Sequence, residues 1–362
     1  MACLWHGKCP RVTDWETAGM EDATAIVRDY RWFPFRIDPG ANALLFALAD
    51  RDAHRTATFL DDQLLKQASK TCQMSLPAIA PAVAQLPAAA CHFIFHSAFC
   101  CSTLLARALD LPGKSMGLKE PLALNDLAQA ALAAGAAAAV RPQLDPVLRL
   151  LARPFAPGET TIVKPSNVVN PLIEQILDVR PASKAVLLSS ALPDFLRSVA
   201  KKGLWGRIWA RKTMSSLSRI PHLKSGFSEA DRWEQSDLQV AALVWLDHRA
   251  QFAQLLSRLP AGRVASLDSA RLLDDPARAL AAVGEFFELG LAPDESAAIA
   301  HGPVFASNAK RHDQEFDAKR RRDEHAAIGE LLAEEIEMVT QWAGSVAEFA
   351  GVPQQLPRPL LG

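Results

Sequence analysis

The sequence contains little glycine, 18 among 362 residues, and a single tyrosine. It has no long hydrophobic run, because the longest apolar stretch, the alanine-rich residues 130–140, is shorter than the roughly 20 residues of a membrane-spanning helix. Neither charge is in excess, since 39 basic and 40 acidic residues give a net charge of -1. These absences exclude a collagen-like fibre and a global electrostatic field for nucleic acid. We therefore expect neither a nucleic-acid partner nor a membrane partner.

Paired metal-ligand spacing is also lacking among the six cysteines, which are Cys3, Cys9, Cys72, Cys91, Cys100 and Cys101. We expect free thiols in a reducing compartment and no metal site. The first ten residues do not combine a basic region with a following apolar stretch. The sequence thus predicts a cytoplasmic protein without a signal peptide.

Short apolar segments alternate with helical patterns from about residue 90 onwards. Four such segments are expected to be strands, at His92–His96, Thr160–Lys164, Ala185–Leu188 and Arg263–Leu267, and helices are expected at 238–259 and 276–289. This alternation predicts an α/β fold with a central parallel sheet flanked by helices. Ligands of such sheets bind beyond the carboxyl ends of the strands, which here means residues 96–103, 164–167 and 189–198.

Residues 1–85 have a different pattern. Two short apolar pieces, 32–36 and 44–48, are separated by the turn residues Asp38, Pro39 and Gly40, and a mixed, helical piece is expected at 56–65. We therefore divide the chain into an N-terminal extension or small domain, 1–85, and a main domain, 86–362.

The strand, loop and helix at 92–110 form the first candidate site. A loop that ends in Ser102 and Thr103 at the start of a helix can present backbone N–H groups and two hydroxyls to an anion. The phosphate loop of nucleotide hydrolases requires glycines and a lysine before its Ser/Thr, where this chain has Phe99, Cys100 and Cys101. The hydrolase pattern is therefore missing, and an ordinary strand-to-helix turn also accounts for this segment.

Four segments in combination resemble the sulfotransferase family over about residues 90–345. They are the loop region 95–105, the sequence Leu118-Lys119-Glu120-Pro121, the strand and helix at 186–198, and the strand, turn and helix at 263–289. The resemblance implies a P-loop-like, three-layer α/β fold. It also implies sulfuryl transfer from the co-substrate 3′-phosphoadenosine 5′-phosphosulfate to a hydroxyl or amine of a small-molecule or peptide acceptor.

The resemblance also implies the roles of individual residues. Glu120 becomes the general base, with Lys119 and His96 as further catalytic candidates. Donor-binding residues are expected in the loop, at the strand ends, in the 3′-phosphate segment and in a late basic loop, and they are Ser97, Cys100, Cys101, Ser102, Thr103, Lys164, Arg197, Ser198, Lys310 and Arg311. The chain departs from the family pattern at Phe99, Cys101 and Ser190, where the family has a basic residue, a glycine and an arginine.

Eight basic residues and no acidic residue occur between Arg197 and Lys224, with Trp205 and Trp209 among them. Such a segment suits an adenine and its 3′-phosphate, an acidic partner, or simply a solvated helical face. Two other functions remain open on the same scaffold. One is phosphoryl transfer from a nucleotide, and the other is a non-catalytic relative that acts as a binding protein.

Overall fold

The computed structural model describes residues 22–87, 89–306 and 330–362. The predicted donor-binding residues Lys310 and Arg311 lie outside these ranges. Within them, no helix is long and apolar enough to cross a membrane.

The N-terminal unit contains a three-stranded antiparallel sheet with short helices. Its elements are α1 (Ala23–Arg28), β1 (Trp32–Asp38), β2 (Ala43–Leu48), α2 (Arg51–Thr56), α3 (Asp62–Gln67), β3 (Lys70–Ser75) and α4 (Leu76–Ala84), with strand order β1-β2-β3. The carboxylate of Asp38 accepts the N–H groups of Gly40 and Ala41 at 2.9 and 3.0 Å, which forms the expected turn.

The helical piece expected at 56–65 is two helices joined by a non-helical segment. Helix α2 ends at Thr56, and α3 begins after Asp61, whose carboxylate accepts the N–H of Gln63 at 3.0 Å. An aspartate at this N-cap position starts a new helix, so residues 57–61 remain outside both.

The main domain contains a five-stranded parallel sheet. Its strands are β4 (Cys91–His96), β5 (Ser115–Lys119), β6 (Thr160–Lys164), β7 (Ala185–Ser189) and β8 (Val264–Asp268), in the order β5-β6-β4-β7-β8. This confirms the predicted α/β fold. Strand β5 was not among the predicted strands, because its central Gly117 is unfavourable in a strand. A Cβ at Gly117 would lie 2.5 Å from the backbone oxygen of Ala106, so α5 can approach only a glycine.

Helices cover both faces of this sheet. They are α5 (Ser102–Ala108), α6 (Leu122–Ala134), α7 (Arg141–Leu151), α8 (Ile173–Val179), α9 (Leu192–Lys201), α10 (Gly203–Leu217), α11 (Glu229–Glu234), α12 (Asp237–Arg258), α13 (Ser269–Asp274), α14 (Pro276–Phe286), α15 (Pro293–Ala300), α16 (Pro303–Ala306) and α17 (Ala333–Phe349). Phe93 and Phe95 pack into one core cluster with α6 and α7, whereas Ile94 packs into another with α5 and α14. The alternating side chains of β4 thus reach opposite faces, as three layers require.

The N-terminal unit shares its hydrophobic core with the main domain. Phe46 of β2 and Leu60 belong to the same buried cluster as Phe93 and Leu118 of the parallel sheet. The guanidinium of Arg36 also forms a two-pronged ion pair with Asp126 of α6, with both N–O distances 2.8 Å. These contacts fix the N-terminal unit beside the carboxyl ends of β5 and β6.

Candidate active site

The ends of four neighbouring strands bring the predicted site segments together. Lys119 of β5 is aligned with Lys164 of β6, and His96 of β4 is aligned with Leu188 of β7. Strand β4 lies at the centre, and the chain leaves it first towards β6 and β5 and later towards β7 and β8. Such a point, where the strand order reverses, is where open parallel sheets bind ligands.

The loop after β4 has an unusual backbone conformation. Ala98, Phe99 and Cys101 have φ angles of 69°, 52° and 62°, in the left-handed region that favours glycine. A residue other than glycine costs about 1–3 kcal/mol there, and such residues cluster at ligand sites. Successive N–H groups in this kind of turn form a concave anion-binding surface. Cys101 also precedes α5 without capping it through its side chain.

Packing against two helices explains how the loop is held without glycines. The Phe99 ring contacts Phe195 of α9 and Trp209 of α10 edge-to-face, with ring centroids 5.7 and 4.8 Å apart. The thiol of Cys100 donates to the backbone oxygen of Leu188 at 3.4 Å. Phe99, at the position where the family carries a cation, thus anchors the loop in an aromatic cluster.

The His96 side chain holds the same loop through hydrogen bonds at both of its ring nitrogens. Its Nδ1 accepts the N–H of Ala98 at 3.0 Å, and its Nε2 lies 3.0 Å from the backbone oxygen of Pro165. A carbonyl oxygen can only accept, so Nε2 carries the proton and the ring is neutral. Both nitrogens are used inside the protein, which makes His96 a positioning residue in this structure.

Several buried hydroxyls surround the loop. The Oγ atoms of Ser97 and Ser190 are enclosed, and neither has a hydrogen-bond partner among the described residues. The predicted donor ligands Ser102 and Thr103 are also buried, at the first turn of α5. A buried hydroxyl without a partner costs about 1–3 kcal/mol, which an incoming oxygen atom can recover. Ser97 was predicted to bind the donor, whereas Ser190 was noted only as a replaced arginine.

Glu120 and Lys164 form a buried ion pair between their carboxylate and ammonium groups. The backbone N–H of Glu120 donates to the backbone oxygen of Lys164 at 2.7 Å, and Glu120 has a left-handed φ of 57°. The structure therefore places the predicted base directly beside a predicted donor-binding cation.

Lys119 points elsewhere. Its ammonium group donates to the backbone oxygens of Arg55 and Ala57 at 2.9 and 2.6 Å, at the end of α2. Burial, with smaller contributions from Arg107 and Arg55, lowers the pKa of Lys119 to about 8. In this conformation Lys119 holds the N-terminal unit.

The 3′-phosphate candidates lie on α9. Arg197 forms an ion pair with Asp194 at 2.9 Å and stays partly exposed, while Ser198 is buried on the same helix. In the following basic segment, Arg211 pairs with Asp237 at 2.5 Å. Trp209 is buried in the aromatic cluster, so its ring supports Phe99 and leaves Trp205 as the candidate for stacking.

A buried polar network behind the site was not predicted. The amide nitrogen of Asn170 donates to the backbone oxygen of His96 at 3.1 Å and lies 3.1 Å from Nδ1 of His248. Gln251 of α12 donates to the backbone oxygen of Asn170 at 2.5 Å. Burial lowers the pKa of His248 to about 4, so it is neutral at pH 7. This network was not predictable, because its members come from β4, the segment after β6 and α12, which meet only in the folded protein.

A cavity of about 600 Å³ opens at the ends of β7 and β8, on the side of α9 that faces β8. Its walls include Ser189, Leu192, Trp245, Arg249, Asp268 and Arg271. The indole N–H of Trp245 donates to the backbone oxygen of Ser190 at 2.9 Å, which joins this wall to the strand end.

No protein-family model and no curated protein matches the chain. A similar solved structure is the sulfotransferase domain from the curacin biosynthetic pathway, which is 16% identical and has a TM-score of 0.40. The match covers 68% of this chain and 98% of that domain. The strand order and the helices on both faces of the sheet themselves show the α/β fold. In the described ranges, no group of three or more His, Cys, Asp or Glu residues is placed to hold a metal ion.

Proposed function

We propose that this protein transfers a sulfuryl group from 3′-phosphoadenosine 5′-phosphosulfate to a hydroxyl or amine of a small-molecule or peptide acceptor. The observation that carries the proposal is the loop at 97–101. It combines left-handed backbone turns with the enclosed hydroxyl of Ser97, which has no hydrogen-bond partner in the part of the chain that the structure describes, at the point where the strand order reverses. The sequence resemblance at the four motif segments supplies the identity of the donor.

The loop and the first turn of α5 hold the 5′-phosphosulfate in this proposal. The hydroxyls of Ser102 and Thr103 and the loop N–H groups donate to its oxygens, where they stabilise the negative charge that grows on the leaving phosphate. The hydroxyls of Ser190 and Ser198 hydrogen-bond to the 3′-phosphate in this proposal. The buried Ser190 hydroxyl, which has no partner among the residues at 22–87, 89–306 and 330–362, fits a ligand oxygen, although it cannot supply the positive charge of the family's arginine.

Glu120 and Lys164 carry the chemistry. Glu120 takes the proton of the acceptor hydroxyl as the acceptor oxygen forms a bond to sulfur and the bond from sulfur to the phosphate oxygen breaks. The proton then resides on Glu120, and the electron pair of the broken bond leaves with the phosphate. Lys164 is adjacent to Glu120, so its ammonium group neutralises the sulfuryl oxygens while the carboxylate is being protonated.

Calorimetry with adenosine 3′,5′-bisphosphate, adenosine 5′-phosphate and ATP tests the donor site. We expect the bisphosphate to bind most tightly, because only it carries both the 5′- and the 3′-phosphate groups. Tighter binding of ATP would favour phosphoryl transfer instead. A sulfate-transfer assay with the labelled donor against phenols, sugars, amines and peptides then searches for the acceptor.

One observation favours a non-catalytic binding protein as the second candidate. Phe99, at the family's cation position, is fixed among Phe195 and Trp209, and the pair of Glu120 with Lys164 is enclosed. Absence of binding of all three nucleotides in the calorimetry favours this candidate.

A further inference from the structure

The non-helical segment Ala57–Asp61 lies on the ends of β5 and β6. The backbone N–H of Leu60 donates to the backbone oxygen of Lys119 at 2.8 Å, and the oxygen of Ala57 accepts from the Lys119 ammonium at 2.6 Å. The Phe59 ring lies beside Lys164, whose ammonium nitrogen is 5.5 Å from the ring centroid. The N-terminal unit therefore contacts both strands that carry the proposed catalytic pair.

This segment contributes to the enclosure of the proposed catalytic pair. The side chains of Lys164 and Glu120 are only 1% and 5% exposed. An acceptor must touch Glu120 to lose its proton, and a group of this low exposure cannot be reached from solvent. Reaction at Glu120 therefore requires a conformation in which part of the covering segment Ala57–Asp61 has moved away from the pair.

We propose that Ala57–Asp61 is the acceptor gate of this protein and that Phe59 determines which acceptors reach Glu120. The inference rests on the proposed function. Access to Glu120 requires the Phe59 ring to leave Lys164, and the acceptor then takes the place of the ring. Acceptors are consequently selected by whether they fit the space that one aromatic ring vacates.

Phe59 is the least buried residue of Ala57–Asp61. Ala57 and Leu60 are buried in the core cluster and hydrogen-bond with Lys119, whereas the Phe59 ring makes the cation–π contact with Lys164, so opening requires movement of this ring. Burial raises the pKa of Asp61 most, and the negative charges of Asp62 and Glu120 raise it further. Local opening of such a segment has a lower free energy than global unfolding.

Chemical labelling of the full-length protein tests the gate without any donor or acceptor. Acetic anhydride acetylates the amine of Lys164 only when the gate is open, and the exposed Lys224 serves as the reference amine. Iodoacetamide labelling of the fully buried Cys91 reports global unfolding. Peptide mass spectrometry gives the rate at each position.

Phe59→Ala should accelerate acetylation of Lys164 by about 10-fold relative to Lys224, a change of about 1.4 kcal/mol in opening free energy. Labelling of Cys91 should not change. Ile79→Ala is the matched control, because Ile79 is buried in the N-terminal unit on α4. In this control, Lys164 and Cys91 should accelerate together or not at all.

The proposal is overturned if Phe59→Ala leaves the Lys164 rate unchanged, or if Lys164 and Cys91 accelerate equally. Phe59→Leu preserves much of the apolar volume and removes the ring, so it decides the question should Phe59→Ala fail to fold. The labelling experiment needs no turnover, so it tests the gate independently of the proposed function. If Phe59→Ala accelerates Lys164 labelling but calorimetry detects no donor binding, the proposed function fails while the gate stands.

Discussion

The ammonium group of Lys164 and the carboxylate of Glu120 are paired in an almost solvent-free environment, where each is the other's counter-ion. Taking two charges out of water is costly, so a buried pair contributes little net stability by itself. Removing only one of the two charges destabilises the fold, because the remaining charge stays buried without its counter-ion. Variants of this pair can therefore be tested both for stability and for turnover.

Glu120→Gln should destabilise the protein by about 3 kcal/mol, because it leaves the Lys164 charge buried and unpaired. The double variant Glu120→Gln/Lys164→Met should recover part of this loss in urea unfolding. If Glu120 is the base, donor binding survives in Glu120→Gln while turnover falls by about 10²–10⁴-fold. Undiminished turnover would remove the base assignment.

The hydroxyls at the start of α5 provide a test of donor binding. Replacing both Ser102 and Thr103 with alanine removes two donors, and it should weaken binding of adenosine 3′,5′-bisphosphate by about 1–3 kcal/mol. Ser215→Ala, on α10, is the control and should leave the affinity unchanged. Equal affinities of the double variant and the unaltered protein in calorimetry, with the fold intact, would contradict the site.

The backbone strain of the loop predicts a difference in stability between two substitutions of Cys101. Cys101 has a φ of 62°, where glycine is free of the penalty that a Cβ brings. We expect Cys101→Gly to be more stable than Cys101→Ala by about 1 kcal/mol, since both variants lose the thiol and only the alanine retains the Cβ. Thermal or urea unfolding of the two variants measures this difference. A more stable alanine variant would show that the left-handed conformation is not strained.

The parallel sheet and the meeting of the site segments were predictable from the sequence. Apolar strand runs alternate with helices, and the carboxyl ends of parallel strands meet at one edge, so the loop after β4 and Lys164 were expected near one another. Glu120 was expected near the loop from the family resemblance. Strand β5 was not predictable, because Gly117 reflects the close approach of α5, which is a tertiary contact.

The contacts of individual side chains were also not predictable from the sequence. Lys119 binds the carbonyl oxygens of Arg55 and Ala57, and Phe99 packs against helices roughly a hundred residues further along the chain. Such contacts depend on how the N-terminal unit and α9–α10 dock on the sheet. Hydrophobic periodicity contains no information about this docking.

Three buried histidines make the fold sensitive to acid. Burial lowers the pKa of His54 to about 3 and those of His92 and His248 to about 4, from 6.5. The unfolded chain binds these protons below pH 6.5 and the folded protein does not, so stability falls as the pH falls. The loss per group is about 1.4 kcal/mol per pH unit, until the pH reaches the folded-state pKa.

His54→Leu should remove one of these contributions. The difference in unfolding free energy between pH 7 and pH 4.5 should shrink by roughly 2–3 kcal/mol in this variant. Both ring nitrogens of His54 lack partners among the described residues, so the variant should not be greatly destabilised at pH 7. His301→Leu, at an exposed position, is the control. An unchanged pH dependence for His54→Leu would mean that folding does not lower the pKa of His54.

Arg153 joins the N-terminal unit to the main domain through backbone oxygens. Its Nη1 donates to the oxygens of Val27 and Asp29 at 2.7 and 3.1 Å, and its Nη2 donates to that of Trp32 at 2.6 Å. Burial lowers the pKa of Arg153 to about 10, so the guanidinium remains charged at pH 7. One charged donor therefore holds three backbone oxygens of the N-terminal unit.

Arg153→Met should destabilise the protein by about 3 kcal/mol or more, because several carbonyl oxygens lose a charged donor together. Arg31→Met is the matched control. It removes an exposed ion pair with Asp29 and should change stability by less than about 1 kcal/mol. Since Phe46 and Phe93 belong to one continuous core, we expect Arg153→Met to shift a single urea transition to lower concentration. Two separate transitions would show that the N-terminal unit unfolds independently, and the acceptor gate would then open with the whole unit rather than at Ala57–Asp61 alone.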